Sequence, residues 1–387
     1  MRKKIAILGS TGSIGKSLID IINKDKKNFE ILLLTANKNY IELLKQAKLF
    51  NVKNLIITNE KSFKILSKIN KDKKIKIYNN FNIFNKIFKR KIDYAMSSIS
   101  GLEGLSPTLE IIKYTKKIAV ANKEALICGW PIIKKELKKN KTQFIPVDSE
   151  HFSIWYALKN NKTDNIENIY LTASGGPFNK VPINKIKNIK LSQALKHPNW
   201  KMGKKISIDS ATMMNKVFEI IEAKNIFDIS YNKLSILIHP KSYVHAIIKF
   251  NDGLSKIILH DTTMKIPIFN SLYSNYEKIY YSKVLDIQKL NNLDLCEVNL
   301  KRFPLVKILQ ELPIKSSLFE TIVVAANDEL VDLYLKKKIK FTDIQNRLLK
   351  FLMLKEFDKF KKIRPRNIES IYKLNRYVRL KINPLSV

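Results

Sequence analysis

Residues 4–18 read KIAILGSTGSIGKSL, and their order decides the first half of the fold. Residues 4–8 form a short apolar run suited to a buried strand. The run stops at Gly9, and an apolar helix continues over 17–22. Gly9, Gly12 and Gly15 stand between them. Glycines let the backbone approach a pyrophosphate, and a helix N-terminus offers free N–H groups and a positive dipole end. A Gly-rich turn alone is a weak signal and can also be a plain tight turn; the strand before it and the helix after it favour a dinucleotide site. Working outward, further strands are expected at 30–34, 54–58, 75–78, 94–99 and 117–120. Helices are expected over 40–50, from Ser106-Pro107-Thr108 with Ser106 as N-cap, and from Lys123. The alternation predicts an α/β protein whose residues 1–147 form a Rossmann-like parallel-sheet domain. At the end of the second apolar run stands Thr35-Ala36-Asn37-Lys38-Asn39, with no acid and one cation. An acid there would bind a ribose 2′-hydroxyl, whereas Lys38 favours a 2′-phosphate and so NADPH. The plain alternative is one more solvated lysine.

From Asp148 the pattern changes. Strands are expected at 169–171, 206–208, 235–238 and 244–250, giving a central α+β catalytic domain over 148–286 with a mixed or mostly antiparallel sheet. After a linker at 287–303, residues 304–387 carry apolar residues at helical spacing and predict a C-terminal helical bundle.

Composition narrows the function. Hydrophobic residues make up 45% of the 387, enough for full cores. The formal net charge is +37, but only eight of the 71 basic residues are Arg, and the lysines form no concentrated block. Drift in an AT-rich genome explains this better than a nucleic-acid surface, which favours Arg forks. No apolar run suits a membrane span, and the one at the start is too short for a signal-peptide core. Two cysteines, Cys128 and Cys296, make neither a disulfide framework nor a metal motif. The expectation is a soluble, cytoplasmic protein with no nucleic-acid or membrane partner.

Several stretches carry chemistry. In PVDSEH (146–151), Asp148 and Glu150 would face one side of an extended segment and suit a hard divalent cation; alone, the hexapeptide reads rather as two solvated acids in a loop. Ala173-Ser174-Gly175-Gly176-Pro177 is either an anion-holding turn or a plain one. Ser210 is expected between a strand and a helix, where a phosphate could sit. On that helix Asn215, Lys216 and Glu219 share a side. Met213 and Met214 read as core, and Glu222, a turn further on, as a helix-surface acid. His197, Trp200 and Met202 surround Pro198 and Gly203, a composition fit for a lid.

GSTGSIG, ANKEAL (121–126), PVDSEH, SGGPF (174–178), HPNWKMGKKISIDSATMMNK (197–216) and IHPKS (238–242) occur in this order. Together they resemble the 1-deoxy-D-xylulose 5-phosphate reductoisomerase family of the non-mevalonate isoprenoid pathway. The resemblance spans the chain, including AANDELVDLYL (325–335) and FTDI (341–344). It implies a homodimer that isomerises and reduces 1-deoxy-D-xylulose 5-phosphate to 2-C-methyl-D-erythritol 4-phosphate, with NADPH and Mg²⁺ or Mn²⁺, Co²⁺ being a further candidate. It implies Asp148, Glu150 and Glu219 as metal ligands. Ser174, Ser210, Asn215 and Lys216 would hold the phosphate, with His197 closing from the lid. Lys123 and Ser149 would contact the substrate's oxygens, and Trp200 would cover it. Thr11, Gly12, Ser13, Ile14, Asn37, Lys38, Asn39, Asn122, Glu124 and Gly203 would line the NADPH site. Three departures stand out. Asn37 and Ala173 replace customary glycines, and the LG-x-PDM-x-x-PI pattern reads Leu259-His260-Asp261-Thr262-Thr263-Met264-Lys265-Ile266-Pro267-Ile268. Rival readings are another NADP-dependent dehydrogenase, needing no three-carboxylate site, and a basic nucleic-acid binder, explaining the charge but no motif.

Overall fold

The computed structural model describes residues 2–159, 163–200, 202–273 and 278–383. The chain forms two compact units. The first comprises Met1–Ala125, Ile132–Asp148 and Met264–Tyr281; the second comprises Leu126–Pro131, Ser149–Thr263 and Ser282–Val387.

In the first unit, β1 (Lys3–Leu8), β2 (Phe29–Ala36), β3 (Asn54–Ile57), β4 (Lys76–Tyr78), β5 (Tyr94–Ser97), β6 (Lys117–Val120) and β7 (Gln143–Pro146) form one parallel sheet. Its order is β4-β3-β2-β1-β5-β6-β7. β1 sits in the middle because Ile5, Ala6, Ile7 and Leu8 are all fully buried, which suits a strand covered on both faces. The strand order reverses between β1 and β5, and such a switch point is where open α/β sheets bind ligands. The helix Leu105–Ile112 starts before Ser106, with Gly104 at its N-cap. A Cβ on Gly104 would lie 2.1 Å from the Asn122 amide nitrogen, so the cap position excludes a side chain, and buried Leu105 joins the first turn. Residues 264–273, which the sequence places with 148–286, pack here instead. Ile268 and Leu272 of the helix Lys265–Leu272 are buried in the same core as Leu18 and Ile22, and Ser271 Oγ lies 2.8 Å from the Tyr94 hydroxyl.

In the second unit, β8 (Ile166–Ala173), β9 (Leu234–Ile238), β10 (Val244–Phe250), β11 (Ser255–Leu259) and β12 (Cys296–Glu297) form a mixed sheet of order β11-β10-β8-β9-β12. The helix Met214–Phe227 covers it, burying Ile220 and Ala223 against Ile169, Leu171, Ala246 and Ile248. Residues 287–303 are more than a linker: they carry the helix Ile287–Asn291, and β12 pairs with β9. The helices Phe319–Leu335, Phe341–Leu352 and Ile368–Ile382 belong to this unit too. They are tied in by Asp209, which accepts from Asn327 at 2.8 Å, and by Lys205, which pairs with Asp209 and Asp328.

Residues 206–208, expected as a strand, lie instead in the helix Lys204–Ala211. The alternation of Ile206 and Ile208 imitates a strand. The i,i+4 ion pair Lys205–Asp209 at 3.1 Å and the buried bond to Asn327 belong to a helix. No helix among the described residues is long and apolar enough to cross a membrane.

One buried acid sets a pH dependence. Burial pushes the Glu320 carboxyl up to about 7, against hydrogen bonds donated by the Ser317 hydroxyl and amide. A raised folded pKa means that stability is fully present below the ordinary value of 4.5 and is lost as pH rises through 7. Glu320→Gln should therefore gain on the wild type between pH 5 and pH 8 by on the order of 1–3 kcal/mol, read from urea unfolding. A pH-independent difference would refute the assignment.

Candidate active site

In the first unit the glycine turn stands at the switch point. Gly9 adopts φ +84°, and a Cβ there would meet Ser98 O at 2.8 Å. A Cβ on Gly15 would lie 2.4 Å from Gly9 O and 2.5 Å from Ser10 Cα. Both positions therefore require glycine. Gly12 is the extended N-cap of the helix Ser13–Asn23 and gives it no side-chain cap, so the first N–H groups remain available to an anion. Thr11, Ser13 and Ile14 flank this N-terminus. After β2, Asn37 donates to the Thr58 hydroxyl at 2.8 Å. Asn37 is absent from the positive-φ residues, so its turn never demanded glycine. Lys38 is exposed and makes no ion pair among the described residues. Asn39 caps the helix Tyr40–Phe50 by accepting from Glu42 N. Asn122 caps the helix Lys123–Lys139 through Ala125 N at 2.8 Å and donates to Gly101 O at 2.7 Å. Glu124 is buried in its first turn, and Lys123 donates to Asp148.

The second unit assembles a buried ionic centre. Glu150 does not lie in an extended segment: it occupies the first turn of the helix Ser149–Ala157, which begins directly after Asp148. Glu219 and Lys216 come from the helix Met214–Phe227. The Lys216 ammonium donates to Glu150 Oε1 at 2.7 Å and to the Glu219 carboxylate. Burial alone would lower its pKa; the Glu150 and Glu219 charges prevail and hold it above the ordinary lysine value. Asn215 donates to the other Glu219 oxygen, and the Ser149 hydroxyl to Glu150 Oε2 at 2.6 Å. Asn215, Lys216 and Glu219 thus share a side as the spacing predicts. Met213 and Met214 are buried, as expected. Glu222 is not a surface acid: it is 1% exposed, and its Oε2 stands 3.8 Å from His151 Nδ1. The turn of helix between Glu219 and Glu222 carries both inward because the Ser149–Ala157 helix packs over it. The other His151 nitrogen donates to Glu219 O at 2.8 Å. Sequence reading gave His151 no role, although it ends PVDSEH.

Beside this centre lies a turn. Gly175 and Gly176 adopt φ +78° and +65°, and Gly176 N donates to the Ser174 hydroxyl at 3.0 Å. A Cβ on Gly176 would meet Ser210 O at 2.9 Å, so glycine there lets the turn close on the end of the helix that carries Ser210. Ser210 does not follow a strand; it lies near the end of the helix Lys204–Ala211, and Met213 at φ +64° redirects the chain into the next helix. His197 Nε2 stands 3.0 Å from Ser174 Oγ, and His197 Nδ1 accepts from Asn199 N and Trp200 N. Burial lowers the His197 pKa to about 4 against the opposing Glu150 charge, so its ring is neutral at pH 7. Gly203 caps the helix Lys204–Ala211, and Lys201 lies outside the described residues.

A parallel sheet with a glycine turn at its switch point, and an oxygen-rich ionic centre beside a second glycine turn, define a Rossmann-type, nucleotide-dependent oxidoreductase. The comparisons make this specific. Residues 5–129 match the family model "1-deoxy-D-xylulose 5-phosphate reductoisomerase", and residues 144–227 and 259–381 match its two C-terminal domain models. The chain belongs to the 1-deoxy-D-xylulose 5-phosphate reductoisomerase family. It is 62% identical to the Pelagibacter ubique (strain HTCC1062) reductoisomerase over 387 residues, covering 100% of each chain. It is 41% identical to that of a Wolbachia of Drosophila simulans, covering 88% of each. Its fold matches the Zymomonas mobilis reductoisomerase in complex with NADPH at TM-score 0.88 and 29% identity, over 100% of this chain and 99% of that one. It also matches a reductoisomerase in complex with NADPH, fosmidomycin and magnesium at TM-score 0.89 and 31% identity, over 99% and 98%.

Proposed function

We propose that this protein converts 1-deoxy-D-xylulose 5-phosphate to 2-C-methyl-D-erythritol 4-phosphate with NADPH and Mg²⁺. The observation that carries the reading is the convergence of Glu150 and Glu219 on one cation, Lys216 Nζ, beside the Ser174–Gly176 turn. All-oxygen donors this close suit a hard divalent ion, Mg²⁺ or Mn²⁺. Asp148, two residues before Glu150 in the chain, is the third carboxylate. When bound, the metal supplies a Lewis acid at the substrate's oxygens and NADPH supplies the hydride. The chain's own residues do the rest. Glu150 and Glu219 fix the charge that faces the reacting oxygens. Ser174, Ser210, Asn215 and Lys216 hold the phosphate, and neutral His197 closes over it. Lys123 and Ser149 orient the polyol, and Trp200 excludes water. Thr11, Gly12, Ser13, Ile14, Asn37, Lys38, Asn39, Asn122, Glu124 and Gly203 contact the nucleotide. The edge strand β11, with Ile257 and the neighbouring Leu254 exposed, supports a homodimer, and a count of only two cysteines agrees with a cytoplasmic setting. The decisive assay is NADPH oxidation on adding 1-deoxy-D-xylulose 5-phosphate, with and without Mg²⁺. No metal-dependent oxidation would refute the proposal.

Cofactor choice has its own test. Lys38→Glu places an acid where a 2′-phosphate would lie and should weaken NADPH on the order of 10-fold or more while leaving NADH nearly unchanged. Equal losses for both nucleotides, by fluorescence titration, would remove Lys38 from the site.

A further inference from the structure

His260 lies just beyond β11, outside every role assigned above. Its ring stacks on that of His245 with centroids 3.7 Å apart and planes 17° from parallel. The Trp200 ring meets His245 edge-on, with centroids at 6.1 Å. Three rings thus form one column from the strand end to the proposed lid. His260 is fixed from both ends: its Nδ1 donates to Asp261 O at 2.8 Å, and its carbonyl accepts from His245 Nε2 at 3.2 Å. With both His245 and His260 in contact through ring and backbone, neither can turn without disturbing the other. The backbone of Trp200 is held separately, through Trp200 N on His197 Nδ1 at 3.0 Å, and Asn199 anchors to Pro240 O and Ser242 Oγ. The indole itself rests on the column.

We propose that His260 is a positioning residue that holds the Trp200 indole over the substrate by stacking beneath His245. A planar ring is what the position needs: it keeps His245 upright, and His245 and the indole meet with their planes 71° apart, a T-shaped arrangement favoured by aromatic pairs. Burial lowers the pKa of both imidazoles, so they stack as neutral rings at pH 7 without like-charge repulsion.

The inference rests on the proposed function only for its kinetic readout. The structural readout uses ligand-free protein in a Trp130→Phe, Trp155→Phe background, where Trp200 is the sole indole. Acrylamide quenching of Trp200 should rise about twofold in His260→Ala, as one aromatic pair is lost, and return to the parent value in His260→Phe. In otherwise wild-type enzyme, His260→Ala should raise KM for 1-deoxy-D-xylulose 5-phosphate by on the order of 3- to 10-fold, with kcat changed less and NADPH affinity unchanged. His260→Phe should restore KM. Unchanged quenching in His260→Ala, or a His260→Phe variant as impaired as Ala at a wild-type unfolding midpoint, would overturn the proposal. If His260→Ala does not fold, His260→Gln, of similar length but without a ring, takes its place under the same criteria. Absence of turnover in the wild type would refute the proposed function and leave the quenching result standing.

Discussion

Glu219→Gln should lower turnover by on the order of 10²-fold or more at saturating Mg²⁺, the scale of losing one electrostatic contributor to a transition state. The substitution keeps length and helix propensity but removes one of the two carboxylates that converge on Lys216. Metal affinity, measured by titration calorimetry, should fall with it, because a hard cation loses an anionic donor. NADPH affinity should hardly change, since the nucleotide turn belongs to the other unit. Glu222 makes a poor control despite its position a turn further on, because it is buried against His151. Glu167→Gln is the better one: its exposed ion pair with Lys249 contributes little. Should Glu219→Gln and Glu167→Gln titrate and turn over alike, Glu219 is not a ligand.

Gly15→Ala should weaken NADPH by on the order of 10- to 100-fold and lower the thermal midpoint, the effect of forcing a methyl group into a close-packed turn. The added Cβ would stand 2.4 Å from Gly9 O and 2.7 Å from Ser10 C, both rigid backbone atoms. The turn must open to accept it, and opening moves the N–H groups of the Ser13–Asn23 helix away from the nucleotide. NADPH titration that finds Gly15→Ala as tight as the wild type would mean the turn does not cradle the nucleotide.

The first half was legible because its signals are local. A parallel strand buried on both faces is a continuous apolar run, and Ile5 to Leu8 are one. The helix Tyr40–Phe50 has its N-cap Asn39 and its left-handed C-cap Asn51 beside it in sequence. The reading failed where two periods compete over a few residues. Ile206 and Ile208 alternate as in a strand, yet Asp209 spends its carboxylate on Lys205 and Asn327, and the latter bond lies 118 residues away. Glu222 looked like a surface acid because nothing in its neighbourhood announces His151. The helix expected to follow Ser106 begins at Leu105, whose buried side chain joins the first turn.

The sequence by itself determined which groups could act. The order of strand, glycine turn and helix, the Asn215-Lys216-Glu219 spacing and the paired glycines before Pro177 are all short-range, and physical chemistry acts on them directly. Tertiary structure alone decided which of these groups meet. Glu150 and Lys216 are 66 residues apart in the chain and 2.7 Å apart in space. His260 and Trp200 share a column of rings that no spacing foretells. The strand order that places the glycine turn at a switch point is likewise a property of the sheet. Backbone propensity and periodicity act over a few residues, whereas the meeting of charges and rings depends on which surfaces are buried together.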